Sequence, residues 1–394
     1  MTRACPACGS ARREEFFTWP GLPVNSCLLL DDRSEAEAFP TGDLVLVVCH
    51  DCGFIANDAF RPGLNEYSDR YEETQAFSPR FRQFADEVAR DWVERYQLRG
   101  RHVVEIGSGK GEFLVALARH GIGSGVGIDP GVHPERVTDE VADRLTWVSG
   151  WFPEDHPDLS GAAAVVCRHT LEHIGPVRAF VTQIRDALGP TSTAVALFEI
   201  PDTLRVLREG AFWDTYYEHC SYFTAGSVAR LFLSCGFEVL AVSLAYDDQY
   251  LLVEARALPA DQQPTFTPAD DRGEISAGVE HFRRSVTEAT RHWVGRVRAI
   301  AQQGGVVVAW GGGSKAVAFL AALGQDAAGV HAVVDVNPYK HDHYLAGTGH
   351  RVIAPQELTV VRPDLVVVMN PVYLSEIRAD LAQLGLGEVR VEAL

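Results

Sequence analysis

The sequence lacks the features that would place the protein in a membrane or on nucleic acid. It has no apolar run of about 18 residues, which a membrane-spanning helix needs. No early basic segment is followed by an apolar one, as in a secretory signal peptide. Positive charge is also scarce: 35 Lys and Arg residues face 53 Asp and Glu residues, and the net charge of −18 disfavours phosphate backbones as partners. We therefore expect a soluble, cytoplasmic protein with no membrane or nucleic-acid partner.

The length and composition indicate a globular protein with more than one domain. A chain of 394 residues is too long for a single hydrophobic core, so two or three domains are expected. The hydrophobic share of 46% and the charged share of 22% are ordinary for such proteins. Both a monomer and a small homo-oligomer are compatible with this pattern.

Cysteine is concentrated in two short patterns, Cys5-Pro-Ala-Cys8 and Cys49-His-Asp-Cys52, each followed by glycine. A Cys-x-x-Cys pair can place two thiolates on one metal ion, and two such pairs complete a tetrahedral zinc site. Disulfides are disfavoured in a reducing compartment. The pattern predicts a structural Zn2+ ion held by Cys5, Cys8, Cys49 and Cys52, with a redox dithiol as the alternative.

The rest of the chain alternates predicted strands and helices in the manner of a doubly wound α/β sheet. Residues 64 to about 97 have helical periodicity. A first α/β unit follows, and a Pro- and Asp-rich stretch, Leu258 to Asp271, separates it from a long amphipathic helix and a second α/β unit. We expect a metal-binding unit over 1–66, an α/β domain over 67–258, a linker and long helix over 259–302, and a second α/β domain over 303–394.

A glycine-rich turn follows the first strand of the α/β pattern. Val103-Val104-Glu105-Ile106 runs into Gly107-Ser108-Gly109-Lys110-Gly111, and a helical pattern then begins. Glycines at such a turn let the backbone approach a ligand, and the helix amino terminus offers free N–H groups. The spacing is one residue shorter than the dinucleotide fingerprint, so a nicotinamide or flavin domain is the weaker alternative.

A second segment, Phe212 to Phe223, combines phenols, a carboxylate and an imidazole in one short stretch. Removal of a proton next to a carbonyl group needs a base with a pKa near neutrality and a donor for the developing enolate oxygen. In this segment we expect His219 to be the base, Glu218 to orient or tune it, and Tyr216 to be the donor. His173 is expected as a second donor or a proton shuttle, or else as a hydrogen-bonded core residue.

These segments together resemble a known family of enzymes. Glu105, the glycine turn, Asp129 and the segment Arg168 to Ile174 are similar to the S-adenosylmethionine site of class I methyltransferases. Over most of its length the chain resembles the three-domain sugar C-methyltransferases, which act on nucleotide-linked 4-keto-6-deoxyhexoses in antibiotic and polysaccharide pathways. The matching segments are Pro23-Val24-Asn25, His173-Ile174, Tyr216 to Phe223, Gly313-Ser314-Lys315 and Asp335 to Lys340.

The resemblance implies a fold and a set of site residues. It implies an N-terminal zinc-binding unit, a central class I methyltransferase Rossmann-like domain and a C-terminal Rossmann-like α/β domain that binds the nucleotide half of the acceptor or serves as structural cover. The cofactor would be S-adenosyl-L-methionine, bound by Glu105, Gly107, Gly109, Gly111, Asp129 and His169. The acceptor would contact Tyr71, Gly313, Lys315 and Lys340.

The chain also departs from the family pattern. Asp248-Gln249-Tyr250-Leu251-Leu252 stands where the family has Gly-Gly-Ser-Leu-Arg, and the segment Tyr71 to Ser78 stands where the family has an aromatic loop, Tyr-x-Tyr, followed by serines. Three functions therefore remain open. The first is C-methylation of a nucleotide-linked keto-deoxysugar, the second is O- or N-methylation of a related natural-product metabolite, and the third is a non-catalytic zinc- and nucleotide-binding protein.

Overall fold

The computed structural model describes residues 3–65, 67–68, 70–156, 158–190, 192–259 and 261–394. The predicted boundary at residue 66 and residue 260 of the predicted linker lie outside these ranges. The strands, numbered along the chain, are β1 (Arg13–Pro23), β2 (Thr41–Cys49), β3 (Ile55–Asn57), β4 (His102–Ile106), β5 (Ser124–Ile128), β6 (Leu145–Val148), β7 (Ala164–Arg168), β8 (Val195–Pro201), β9 (Ser221–Tyr222), β10 (Phe237–Ala245), β11 (Tyr250–Ala257), β12 (Val307–Trp310), β13 (Val330–Val334), β14 (Val352–Ile353), β15 (Leu365–Val368) and β16 (Arg390–Ala393). The helices are α1 (Arg33–Glu37), α2 (Pro79–Arg95), α3 (Glu112–Arg119), α4 (Val177–Ala187), α5 (Thr203–Glu209), α6 (Ala225–Ser234), α7 (Arg272–Gln302), α8 (Ser314–Leu323), α9 (Leu358–Val361) and α10 (Leu374–Gln383).

The amino-terminal sheet is antiparallel, with the order β1-β2-β3-β9. The first cysteine pair precedes β1, and the second spans the turn between β2 and β3. Its last strand, β9, comes from far along the chain and directly follows His219 and Cys220. This pairing fixes the segment that carries His219 against the amino-terminal unit.

The central sheet has seven strands in the order β10-β11-β8-β7-β4-β5-β6. Strands β8, β7, β4, β5 and β6 are parallel, whereas β10 and β11 are antiparallel to their neighbours. The strand order reverses between β4 and β7, and in open α/β sheets ligands bind at the carboxyl ends of the strands at such a point. The glycine turn follows β4, and the segment with His169 and His173 follows β7.

The third sheet is parallel, with the order β14-β13-β12-β15-β16. Helix α7 leads into it and shares one hydrophobic core with this sheet and the amino-terminal sheet, through residues such as Phe16, Phe282 and Phe319. The outer units of the chain are therefore packed together rather than tethered by a free linker. Among the described helices, none is both long enough and apolar enough to cross a membrane.

The predicted helix over residues 64–97 is wrong in its first half. Helix α2 begins at Pro79, and Ser78 caps it by accepting a hydrogen bond from the N–H of Phe81 on its side-chain oxygen. Proline is favoured at the first helical position because its missing N–H has no helical partner there. The described residues between Leu64 and Ser78 form an irregular segment, and several of them line a cavity between the central and third sheets.

Candidate active site

The glycine turn after β4 has a conformation that larger residues would not adopt. Gly107, Gly109 and Gly111 have φ values of +72°, +52° and +86°, in the left-handed region that favours glycine. A Cβ atom on Gly107 would lie 1.9 Å from Thr170 Oγ1, and one on Gly111 would lie 2.4 Å from the Trp147 ring. The turn therefore forms a close-fitting cradle at the start of α3.

Two carboxylates flank this cradle. Glu105 is 2% exposed, burial raises its pKa to about 8, and its Oε2 has no hydrogen-bond partner among the described residues. Asp129 follows β5, and its two oxygens accept the N–H groups of Gly109 at 3.0 Å and Gly131 at 2.7 Å. A buried carboxylate oxygen without a partner is costly unless a ligand supplies the hydrogen bond. These carboxylate acceptors fit a cofactor whose amino and hydroxyl groups donate hydrogen bonds.

A cluster of rings lies beside the cradle. His219 is 7% exposed, and its ring centroid is 4.1 Å from that of Tyr216 and 4.8 Å from that of His173. Tyr67 forms a hydrogen bond of 2.9 Å through its hydroxyl group with Nδ1 of His173. When the phenol donates, His173 carries its own proton on Nε2 and presents a donor to its surroundings.

Burial sets the protonation states of this cluster. Burial lowers the pKa of His219 well below its usual range, and the neighbouring His173, His169 and Lys315 act in the same direction. Burial also raises the pKa of Tyr216 well above its usual value. At neutral pH the imidazole of His219 is therefore uncharged and has one ring nitrogen free to accept a proton, and the phenol of Tyr216 remains a donor.

A buried carboxylate completes the cluster. Glu172 is 2% exposed, and neither carboxylate oxygen has a hydrogen-bond partner in the described part of the chain. Its ligand atom and those of His173 and His219 all lie within 4.8 Å of one another, so the three side chains could hold a cation. Oε1 also lies 3.5 Å from Nδ1 of His169, within ion-pair distance.

His169, expected to bind the cofactor, belongs to an ion-pair network. Its Nε2 lies 2.7 Å from Glu199 Oε1, while Arg168 contacts both oxygens of Glu199 at 2.9 and 3.0 Å. Burial opposes protonation, but Glu172 and Glu199 outweigh it and raise the pKa of His169 to about 9. The His169 side chain is therefore positively charged at neutral pH and lines the same cavity as His219.

Glu218, expected to orient His219, has its hydrogen bonds elsewhere. The carboxylate accepts from the hydroxyl group of Tyr71 at 2.9 Å, the N–H of Ser26 at 3.1 Å and the side-chain amide of Asn25 at 3.4 Å. Within the described residues none of these bonds reaches His219. Glu218 thus ties Tyr71 and the amino-terminal unit to the site, and Glu172 is the carboxylate nearer to the two histidines.

The carboxy-terminal domain contributes a second turn to the site. Lys315, in the first turn of α8, forms a hydrogen-bonded ion pair with Asp214, which Arg205 also contacts at 2.7 Å. Lys340 is 7% exposed, and its Nζ lies 3.2 Å from the carbonyl oxygen of Gly312 and 3.8 Å from Asp335. Both lysines that were expected to contact the acceptor therefore already have carboxylate neighbours.

A cavity of about 800 Å³ lies between the central sheet and the third sheet and brings most of these groups together. The predicted site residues that line it are Tyr71, Glu105, Gly107, Gly109, Asp129, His169, His173, Tyr216, His219, Gly313, Lys315 and Lys340. Gly111 and Glu218 are not among its lining residues, and the four clustered cysteines lie elsewhere.

Sequence reasoning missed several residues that line this cavity. Tyr67 and Glu73 come from the segment that was predicted as helical, and Glu172 lies between His169 and His173, for which roles were predicted. Gln249 and Asn370 exchange two amide hydrogen bonds of 2.9 Å across the domains. The sequence signalled Gln249 only as a departure from the family pattern, and nothing in it indicated its pairing with Asn370.

The four cysteines of the two Cys-x-x-Cys patterns are brought together. Their sulfur atoms all lie within 4.8 Å of one another, with 3.7 Å between Cys5 and Cys52 and 3.6 Å between Cys8 and Cys49. A tetrahedral zinc ion with Zn–S bonds of about 2.3 Å requires sulfur separations of about 3.8 Å. The geometry therefore fits such an ion and is too open for disulfides.

Comparisons with known proteins support a methyltransferase. A family model described as a methyltransferase domain matches residues 79–242, and one described as a C-methyltransferase C-terminal domain matches residues 273–389. The C-methyltransferase NovU of Streptomyces niveus is 27% identical to this chain, over 95% of this chain and 90% of NovU.

Solved structures match the chain only in part. The N,N-8-amino-8-demethyl-D-riboflavin dimethyltransferase RosA of Streptomyces davawensis is 21% identical to this chain. The match covers 44% of this chain and 54% of RosA, with a TM-score of 0.37. The 1,6-didemethyltoxoflavin-N1-methyltransferase of Burkholderia thailandensis is 16% identical to this chain. That match covers 44% of this chain and 78% of the Burkholderia enzyme, with a TM-score of 0.36.

The two family models follow one another along the chain in the regions that form the central and third sheets, and the similarity to NovU spans nearly the whole length of both proteins. The chain is thus an S-adenosylmethionine-dependent methyltransferase with a class I methyltransferase α/β fold, and its carboxy-terminal part is similar to a C-methyltransferase C-terminal domain.

Proposed function

We propose that the enzyme methylates a carbon atom next to the ketone of a nucleotide-linked keto-deoxysugar through an enolate. The observation that carries the proposal is the buried, neutral His219 in ring contact with Tyr216 and His173, in the cavity that the glycine turn also lines. Simple O-methylation needs a base, whereas carbon methylation also needs donors for an enolate oxygen, and this cluster offers both.

In this proposal each ring has one role. His219 removes the proton from the carbon beside the ketone, because its lowered pKa keeps it unprotonated at neutral pH. Tyr216 donates a hydrogen bond to the oxygen that becomes negatively charged, and His173 is the second donor. Bound S-adenosylmethionine would supply the electrophilic methyl group for the nucleophilic carbon, and S-adenosylhomocysteine would be the leaving group.

Two other residues would support this chemistry. Tyr67, through its hydrogen bond to Nδ1, holds His173 in the tautomer that donates from Nε2. Glu172, buried beside both histidines, stabilises the positive charge that His219 acquires when it takes the proton. Glu218 orients Tyr71 at the cavity wall rather than the base.

The cofactor and the acceptor would occupy different parts of the cavity. The glycine turn, Glu105 and Asp129 would hold the cofactor, with His169 nearby. Between residues 303 and 394, the turn with Gly313 and Lys315 and the side chain of Lys340 would hold the nucleotide half of the acceptor. Because both lysines have carboxylate neighbours, we expect them to bind phosphate only by rearranging those ion pairs.

We also propose that residues 1–66 form a zinc-binding domain. The support is the close approach of the four sulfur atoms, at separations that a tetrahedral thiolate site requires. Four thiolates leave no open coordination position, so the ion would be structural and would stabilise the sheet that includes β9, next to the proposed base.

The proposal is tested with S-adenosylmethionine and a panel of nucleotide-linked 4-keto-6-deoxysugars, analysed by mass spectrometry. We expect one product heavier by a methylene group with the wild type and with His292→Ala, a surface control, but not with His219→Ala. A wild type that binds the cofactor and methylates none of the panel would move the acceptor outside nucleotide-linked keto sugars.

A further inference from the structure

The segment from Tyr71 to Ser78 lies over the glycine turn. Thr74 donates a hydrogen bond of 2.8 Å to Glu112, in the first turn of α3. The Oε1 atom of Glu73 lies so close to Gly109 that a Cβ atom there would be 2.5 Å from it. A side chain from the irregular segment before α2 thus reaches the glycine turn, and a Cβ atom at position 109 would have to displace it.

Glu73 has an incomplete set of partners. Its Oε2 is inaccessible to solvent and has no hydrogen-bond partner among the described residues. The nearest cation, Lys110 Nζ, is 3.9 Å away and donates instead to the carbonyl oxygen of Gly131 at 2.8 Å. Burial raises the pKa of Glu73 to about 8. The side chain as a whole is 33% exposed, but its Oε2 atom is buried at the cavity wall without a hydrogen-bond donor among the described residues.

The missing partner is a cationic hydrogen-bond donor. An ammonium group carries three N–H donors, and its hydrogen bonds to a carboxylate are stronger than those between neutral groups. The cofactor of this enzyme class carries two cationic groups, an α-ammonium and a sulfonium. Only the ammonium can donate a hydrogen bond to an oxygen that lacks one.

We propose that Glu73 binds the α-ammonium group of the cofactor's methionine portion. The residue comes from a segment outside the glycine turn and outside the part of the chain that matches the methyltransferase-domain model, which begins at residue 79. Cofactor binding would therefore also tie this segment to the turn. The proposal concerns the cofactor alone and does not depend on the identity of the acceptor.

The test measures binding by isothermal titration calorimetry on the full chain, with no acceptor present. Two ligands carry the α-ammonium group: S-adenosylhomocysteine and S-adenosylmethionine. The other two do not: an analogue of S-adenosylhomocysteine without the α-amino group, and 5′-methylthioadenosine, which lacks the whole amino acid portion. We expect Glu73→Gln to weaken S-adenosylhomocysteine and S-adenosylmethionine by about tenfold or more and to leave methylthioadenosine unchanged. The matched control, Glu376→Gln, removes a cavity carboxylate that contacts Ser78 and should change none of the four affinities.

The amino-free analogue isolates the contact. If Glu73 binds the ammonium group, wild type and Glu73→Gln should bind this analogue equally, because the interaction is already absent. An equal loss for all four ligands, or a loss confined to S-adenosylmethionine, would overturn the proposal. Unchanged methylthioadenosine binding shows that the variant is folded. Glu73→Asp, which keeps the charge on a shorter side chain, should bind S-adenosylhomocysteine with intermediate affinity.

Discussion

At the scale of single residues, the site separates two histidines of the same cavity into opposite charge states. Burial and neighbouring positive groups lower the pKa of His219, while Glu172 and Glu199 raise that of His169 to about 9. The difference comes from the partners, since both rings are largely removed from bulk solvent. One histidine is thus suited to accept a proton, and the other contributes a fixed positive charge.

The raised pKa of His169 predicts a pH-dependent contribution to stability. The ordinary pKa of histidine, about 6.5, applies to the unfolded chain, so the contribution is fully present below that pH and is lost as pH rises through about 9. Replacing His169 by Asn should remove a contribution of about 1–3 kcal/mol at pH 6 and little at pH 9.5. Free energies of unfolding from urea titrations across this range test the prediction, with His292→Asn as the surface control. Parallel pH profiles for wild type and His169→Asn would contradict it.

At the scale of elements, the strand–turn–helix unit β4–α3 was predictable because its pattern is local. An apolar run followed by glycines and a helical periodicity needs no long-range information. The start of α2 was missed because the apolar periodicity outweighed the capping signal of Ser78 and Pro79. The two-residue strand β9 was not predictable, since its pairing with β3 depends on contacts more than 160 residues apart in the sequence.

For the candidate site, the ring residues could be predicted from the sequence, but their hydrogen-bond partners could not. His219, Tyr216 and His173 stand in segments rich in polar side chains, and the structure brings them together. Their hydrogen-bond partners could not be read from the sequence, because Glu218 and Glu172 are both adjacent to a histidine. Only the fold shows that Glu172 approaches the histidines while Glu218 bonds to Tyr71.

The glycine turn gives a prediction about cofactor binding. Ala at position 107 would place a Cβ atom 1.9 Å from Thr170 Oγ1 and force a positive φ on an L-residue. We expect Gly107→Ala to weaken S-adenosylhomocysteine binding at least tenfold, or about 1.4 kcal/mol, as measured by calorimetry. Gly161→Ala, at a position where a Cβ atom meets nothing within 4 Å, is the control. Unchanged binding by Gly107→Ala would show that the turn is not the cofactor cradle.

At the scale of the whole molecule, the central and third sheets enclose one cavity, and the amino-terminal sheet is joined to a segment of its wall. Lys315 and Asp214 pair across the two α/β domains, as do Asn370 and Gln249, while β9 joins the amino-terminal sheet to the segment with the proposed base. Contacts of this kind make the geometry of the site dependent on all three parts. An isolated central domain would lack the wall that the carboxy-terminal domain provides.

The amino-terminal unit gives a prediction about metal content and stability. Purified protein should contain one zinc ion per chain by elemental analysis, and removal with a chelator should lower the melting temperature, because the four thiolates would then repel or reprotonate. Cys49→Ser should lose the zinc ion and the same stability. Cys235→Ser, at an isolated buried cysteine, should keep the metal. A protein with no zinc, or one whose melting temperature is indifferent to the chelator, would contradict the assignment.

The most direct test of the central claim is solvent deuterium exchange at the carbon next to the ketone, followed by NMR in the presence of S-adenosylhomocysteine. The substrate is the keto sugar that the mass-spectrometric panel identifies as the acceptor. The account predicts that the wild type exchanges this proton, that His219→Ala does not, and that the methyl group of the product is bonded to that carbon. A methylated product whose new methyl group is bonded to oxygen or nitrogen, formed without exchange, would contradict it.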